Sequence, residues 1–336
     1  MKRPGVLLGL VLLFSMTLWG CGGGDDEGPD RMTFMAGFKA QANLPFLAAY
    51  VAQEKGYFAE QDLDVDIRQS AGEHLQLLLS GDVHITTADA NSVLRRRADA
   101  GAPIVALTLF GQTGQQAFVA LEESGIATPK DWEGKRVGYK VSIPPDYLAI
   151  LKSADVDRSK VDEVRVGFDP RILIEEQVDV LAVFKSNEPD TLRKLGFPVN
   201  VFDAADFGVP TLGLTYIATE DFIEDEPDIV RRFLKATMKG LEFATQNTEE
   251  TLDIVLKFAP NEQREHMRFM MLTELEDAVS PLTDDNGLGW MTQGQWELFH
   301  DHLREFEALS DDVDVSSAYT DRFLRDIYRD GRLRWP

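Results

Sequence analysis

The sequence predicts an α/β protein of two lobes, joined by two crossing segments and finished by a helical C-terminal region. Three observations carry this. Residues 32–67 read strand, loop, helix, strand, the order of one βαβ unit. A second alternation of short apolar strands and helices begins after the polar, glycine-bearing segment 111–121. From Asp225 onward the pattern is purely helical.

Taken in order, MTFMAGF (32–38) is a short apolar run that suits a buried strand, and KAQANLPF (39–46) is polar and proline-containing, as a loop would be. In LAAYVAQEKGYF (47–58), Leu47, Tyr50, Val51 and Phe58 fall near helical spacing, and Gly56 supplies a stop. DLDVDI (62–67) alternates like a half-buried strand. Ligands of such sheets sit at the carboxyl ends of strands, so residues 38–46 are the first place to look for a site. A loop and helix (72–81), a strand (83–88) and an arginine-rich, surface-facing helix (91–100) follow. The nearly continuous apolar run APIVALTLF (102–110) suits a central parallel strand.

The second set opens with Thr128 as a cap before Pro129. Strands are expected at 136–140, 161–168, 178–184 and 199–204, with helices at 142–154, 169–177 and 187–196. TLGLTYIAT (211–219) reads as the second crossing strand. Five helical stretches follow, interrupted by a loop with Gly287, Gly289 and Trp290, and there is no repeat or heptad pattern. The expected division is a leader (1–20), a tether (21–31), lobe 1 (32–113 plus 218–336) and lobe 2 (114–217), a hinged clamp around a cleft.

Composition fits a globular chain: 44% hydrophobic, 27% charged. The net charge of −23 is spread along the chain and repels nucleic acid, so no nucleic-acid partner is expected. Lys2 and Arg3 precede an apolar stretch (5–19) that is short for a membrane span and ends at Gly20-Cys21. This resembles a bacterial lipoprotein signal, in which the cysteine is lipidated after cleavage. Cys21 is the only cysteine, so the chain forms no internal disulfide and offers no thiolate nucleophile after it. The expectation is an extracytoplasmic, monomeric protein anchored to the membrane through Cys21.

Little speaks for chemistry. The five histidines form no metal-ligand pattern, and His300 and His302 point apart on a helix. No glycine-rich nucleotide loop and no Ser/His/Asp order stands out. No catalytic residue, metal or cofactor is expected.

The segments YVAQEKGYFAEQDLDVDI (50–67), GEHLQLLLSGDVHITTAD (72–89), PKDWEGKRVGYK (129–140), VDVLAVFKSNEP (178–189) and GLGWMTQGQW (287–296) resemble the solute-binding proteins of ABC importers. The likeness is to the thiamine-pyrimidine-precursor and riboflavin-binding group of the type II periplasmic-binding fold, with sulfonate, taurine and nitrate binders as more distant relatives. It implies closure of two lobes on a small molecule, followed by docking on a permease and its ATPase. In the first loop, where many relatives carry Trp-x-Pro-x-x-(Asn/Gln), the matching positions are Phe38, Ala40 and Asn43. That departure ranks riboflavin ahead of a thiamine pyrimidine precursor. Related pyrimidine synthases use a cysteine-rich cluster that this chain lacks, which disfavours the enzyme reading.

A planar ligand needs aromatic faces and fixed polar groups. Phe38, Phe46, Phe110, Tyr139, Tyr147 and Tyr216 fall near predicted strand ends or loop starts. Gln41, Asn43, Gln112, Gln115, Gln116 and Asn187 offer the donor–acceptor amides that suit imide and pyrimidine edges. Glu73 and His74 stand at a loop–helix junction, Asp89 follows a strand, and Glu188 and Lys185 flank Asn187, where a salt bridge between those two is the alternative. An anionic ligand would require basic groups at helix starts, and these loops are rich in amides instead.

Overall fold

A computed structural model describes residues 28–140 and 142–336. The expected leader and the expected lipidation at Cys21 lie outside the described residues. Among the described residues, no helix is long and apolar enough to cross a membrane.

The first sheet has the order β2-β1-β3-β10-β4. Its strands are β1 (Asp30–Ala36), β2 (Leu63–Gln69), β3 (Ile85–Asp89), β4 (Ile104–Leu109) and β10 (Leu214–Thr219). The second has the order β7-β6-β8-β5-β9. It comprises β5 (Gln116–Leu121), β6 (Arg136–Tyr139), β7 (Asp162–Arg165), β8 (Val180–Phe184) and β9 (Val199–Asp203). Each sheet is parallel except for one inserted strand. β10 runs antiparallel between β3 and β4, and β5 antiparallel between β8 and β9. In both cases the exception is the strand that has just arrived from the other lobe.

Three expectations are corrected. β4 is at the edge of its sheet, beside β10 and antiparallel to it. Its apolar run reflects cover by the C-terminal region: Tyr319 bridges Ala106, and Leu109 donates to the Gly289 carbonyl. Leu214–Thr219 is a strand of the first sheet, so a lobe boundary at 217 would cut through it; the return crossing is the segment before Leu214. The expected helix at 169–177 is a single turn, Arg171–Ile174, with Glu176 at a φ of 55°.

The crossings run side by side. Gly213 donates to the Gly111 carbonyl at 2.9 Å and Phe110 to the Leu214 carbonyl at 2.8 Å. A Cβ on Gly213 would stand 2.8 Å from both Gly111 Cα and the Thr113 carbonyl oxygen, so the approach requires glycine. The first lobe's core gathers sheet one, helix Leu44–Glu54 and most of the C-terminal helices. The second lobe buries one apolar cluster on each face of its sheet.

Candidate functional site

The crossings and the facing ends of the sheets enclose a cleft of about 240 Å³. The first lobe contributes Asp89 and Asn91 from the start of helix Ala90–Ala100, Arg95 from its middle, and Phe299 from helix Gln293–Glu305. The second contributes Lys140, Pro144–Asp146 at the start of helix Pro145–Ser153, Phe168 and Phe184. Gly114, Gln115, Gln116 and Thr211 line the cleft from the crossings. A crevice lined by Leu44, Phe110 and Glu274 shares Gln115 and Leu214 with it.

Asp89 accepts from the backbone N–H of Ser92 at 2.7 Å, capping its helix at the cleft wall. Asn91 and Arg95, one turn apart, then share a face. Among the described residues, Asn91 Oδ1, Arg95 Nε and Gln115 Oε1 are buried without a hydrogen-bond partner. The aromatics differ in kind. Phe168 is 71% exposed and Phe184 45% exposed, whereas Phe299 is buried.

The ions around this wall are paired. Lys140 binds Glu188, whose other oxygen accepts from the Phe184 N–H at 2.9 Å. Lys185 binds Asp203 on its own lobe and Asp277 of helix Arg264–Ala278 on the other. Burial opposes the Lys185 charge, but the two carboxylates outweigh it and hold its pKa above the usual lysine range. The alternative of a Lys185–Glu188 bridge is corrected: Glu188 pairs with Lys140, and Lys185 with Asp203 and Asp277. Burial raises the pKa of Asp146, with His302 of the first lobe 3.6 Å away and opposing the shift.

Of the residues singled out in the sequence, Asp89, Gln115 and Gln116 are brought together at the cleft. Phe46, Tyr147 and Tyr216 are corrected to core: Phe46 and Tyr216 pack in the first lobe, with the Tyr216 hydroxyl donating to the Pro45 carbonyl, and Tyr147 lies parallel to Trp132 in the second. Tyr139 packs against the same second-lobe core. Gln41 and Asn43 are buried in a chain that ends on Glu274: Gln41 donates to Asn43, and Asn43 to the carboxylate. Gln112 donates to the Trp290 carbonyl and accepts from Gln295. Asn187 bonds His266 across the lobes, and Glu188 is held by Lys140. Phe38 is 53% exposed on the first loop, outside the cleft lining, as are Glu73 and His74 at the start of helix His74–Ser80.

Phe168, Phe184, Arg95, Lys140 and Asp146 were missed. The carboxyl-end rule that drew attention to β1 applies equally to β8, which ends at Phe184, and to β6, which is followed by Lys140. Arg95 lines the cleft and is not surface-facing as its arginine-rich helix suggests; its four-residue spacing from Asn91 is the signal that puts it on the cleft side. Phe299 carries no sequence signal.

Two lobes, each a mixed sheet with one inserted antiparallel strand, meeting at a polar and aromatic cleft beside the crossings, define the periplasmic-binding-protein class. The aliphatic sulphonate binding protein SsuA of Escherichia coli shares this fold, with a TM-score of 0.68 at 14% identity over 86% of this chain and 92% of that one. Residues 43–251 match the NMT1/THI5-like family model, and the chain belongs to that family. It is similar to the riboflavin-binding protein RibY of Chloroflexus aurantiacus, 29% identical over 84% of this chain and 83% of that one. It is also similar to the formylaminopyrimidine-binding protein of Halalkalibacterium halodurans, at 26% over 88% and 93%.

Proposed function

We propose that this chain is the extracytoplasmic substrate-binding protein of an ABC-type importer. It captures a planar nitrogen heterocycle between its lobes and does no chemistry on it. The observation that carries this reading is the pair of exposed phenyl rings, Phe168 and Phe184, on a cleft wall that also holds Gln115, whose amide nitrogen is engaged by Asp277 and whose amide oxygen has no partner among the described residues. A flat ring laid on the two phenyl rings covers apolar surface. The names of the two relatives point to the same ligand class. Among the described residues, the lining contains no histidine or thiol, which favours binding over catalysis. In this reading Cys21 anchors a monomer to the membrane, and permease and ATPase take up the ligand-bound form.

Riboflavin remains the first candidate on sequence. The cleft, at about 240 Å³, is smaller than the ~300–1,000 Å³ of pockets for drug-sized ligands, which favours a single-ring pyrimidine in this conformation and requires the lobes to part for a flavin. One observation supports a second reading: Arg95 Nε, unpartnered among the described residues, suits an anion such as a sulfonate. Asp89 and Asp146 on the same wall oppose it.

Thermal melts of the chain from residue 22 with excess riboflavin, formylaminopyrimidine, hydroxymethylpyrimidine or taurine test the reading. At about a hundredfold excess over Kd, a ligand of the folded form adds ~2.7 kcal/mol, a rise of a few degrees. A rise with a heterocycle and none with taurine is expected; a rise with taurine alone would replace the heterocycle with an anion.

A further inference from the structure

A seam of polar contacts runs along one face of helix Arg264–Ala278 and joins it to the other lobe. Asp277 binds Lys185 Nζ at 2.7 Å, Glu274 accepts from Ser186 Oγ at 3.1 Å, and His266 holds Asn187 and Asp190. At about 100° per residue, positions 266, 274 and 277 fall within an arc of about 80°. Their partners follow β8 directly and lead into helix Glu188–Lys194. The two ends of the seam differ. Asp277 also accepts from Thr113 Oγ1 and Gln115 Nε2, so it is tied to a crossing and stays near the pivot. His266 lies ~16 Å farther along the helix, at ~1.5 Å per residue. There Nδ1 donates to Asp190 Oδ2 at 2.6 Å, and Nε2 stands 2.9 Å from Asn187 Oδ1. Both partners are fixed within their own lobe: Lys194 binds the Asp190 carboxylate, and the Asn187 N–H donates to the Phe184 carbonyl. His266, Asn187 and Asp190 are all absent from the cleft lining.

We propose that His266 is a latch, a positioning residue that grips the start of helix Glu188–Lys194 from outside the cleft and sets how long the closed lobes hold a ligand. The proposal rests on the capture of a ligand between two lobes, and adds the side chain that times its release. A turn of the lobes by about 10° about the crossings moves a point ~16 Å out by ~3 Å. That displacement breaks both bonds at His266 and leaves Asp277 close to its partners. The grip also bears on the site. Asn187 is three residues from Phe184, whose ring lines the cleft and whose N–H is held by Glu188. Drawing Asn187 and Asp190 onto the first lobe therefore holds the segment that carries this ring. One of the two bonds reaches a carboxylate, so losing both should favour opening by about tenfold.

The test uses the chain from residue 22, which holds the whole described fold and no cysteine. Spin labels go on Leu195→Cys and Leu272→Cys, positions 49% and 46% exposed on opposite lobes beside the seam. The ligand-free protein should show a population at the closed distance. His266→Ala should lower the ratio of that population to longer distances about tenfold, and at least threefold. For whichever of riboflavin and formylaminopyrimidine binds, release after rapid dilution, read from flavin or tryptophan emission, should quicken by the same factor. His266→Gln, which can keep one bond, should fall between. A purely structural role would lower the melting temperature and leave ratio and release unchanged; that result, or a wild type with no closed population, would overturn the proposal. If His266→Ala fails to fold, Asn187→Ala replaces it, with a roughly threefold change expected and no change overturning the latch. If neither heterocycle binds, the heterocycle reading fails, and the ligand-free ratio still decides the latch.

Discussion

At the scale of single residues, the aromatic contribution to binding falls on side chains that do little for the fold. Phe168 is 71% exposed, so Phe168→Ala should change thermal stability by no more than ~0.5 kcal/mol. An aromatic pair contributes ~0.5–1.5 kcal/mol beyond area burial, so the same variant should weaken ligand binding by roughly three- to tenfold. Titration calorimetry and a melt on one preparation separate the two effects. Glu274 is the opposite case. It is buried and accepts from the Leu44 N–H, Asn43 and Ser186, the last from the other lobe. Burial outweighs these bonds and pushes its pKa up to about 7. A group that favours its protonated form in the fold contributes stability that is present below its unfolded pKa and lost as pH rises through the folded one. Melts should therefore fall between pH 5 and pH 8 by on the order of 3 kcal/mol, and Glu274→Gln should remove most of that slope. A wild-type profile flat over that range would contradict the assignment.

At the scale of elements, close backbone approaches matter most. Helix Pro227–Gln246 crosses helix Leu44–Glu54 at Gly240, where a Cβ would stand 2.3 Å from the Ala48 carbonyl oxygen. Glycine to alanine in a helix interior ordinarily stabilises by about 1 kcal/mol. Here overpacking reverses the sign, and Gly240→Ala should lower stability by ~1–3 kcal/mol in denaturant unfolding. The same scale explains what the sequence made legible. Helix Leu44–Glu54 and the helices after Asp225 follow from apolar spacing, which survives any choice of partner. The place of β4 does not, because an apolar run records burial without recording whether a strand or a C-terminal segment provides it. The antiparallel insertion of β10 is likewise invisible, since strand direction depends on the route of the chain through the other lobe.

At the scale of the whole molecule, the lobes already touch at several points. His266 bonds Asp190 and Asn187, Ser186 donates to Glu274, and Lys185 reaches Asp277. These contacts explain why only part of the site was legible. Gln115 and Gln116 lie on a crossing recognisable from its glycines and amides, and Asp89 ends a recognisable strand. Arg95 joins Phe168 and Phe184 only when the two lobes face each other. Conversely, Phe46, Tyr147 and Tyr216 sat at plausible positions, but the core takes large aromatics first, because burying them contributes most to stability.

The central claim is that a flat ring lies on Phe168 and Phe184 with one molecule bound per chain. Riboflavin fluorescence tests it most directly, since a stacked flavin is quenched. Wild-type protein should quench saturably and one-to-one, three- to tenfold more weakly in Phe168→Ala, with displacement by formylaminopyrimidine if the pyrimidine is the tighter ligand. Quenching that is equally strong in Phe168→Ala and Phe184→Ala, or no saturable quenching and no thermal shift with either heterocycle, would contradict it.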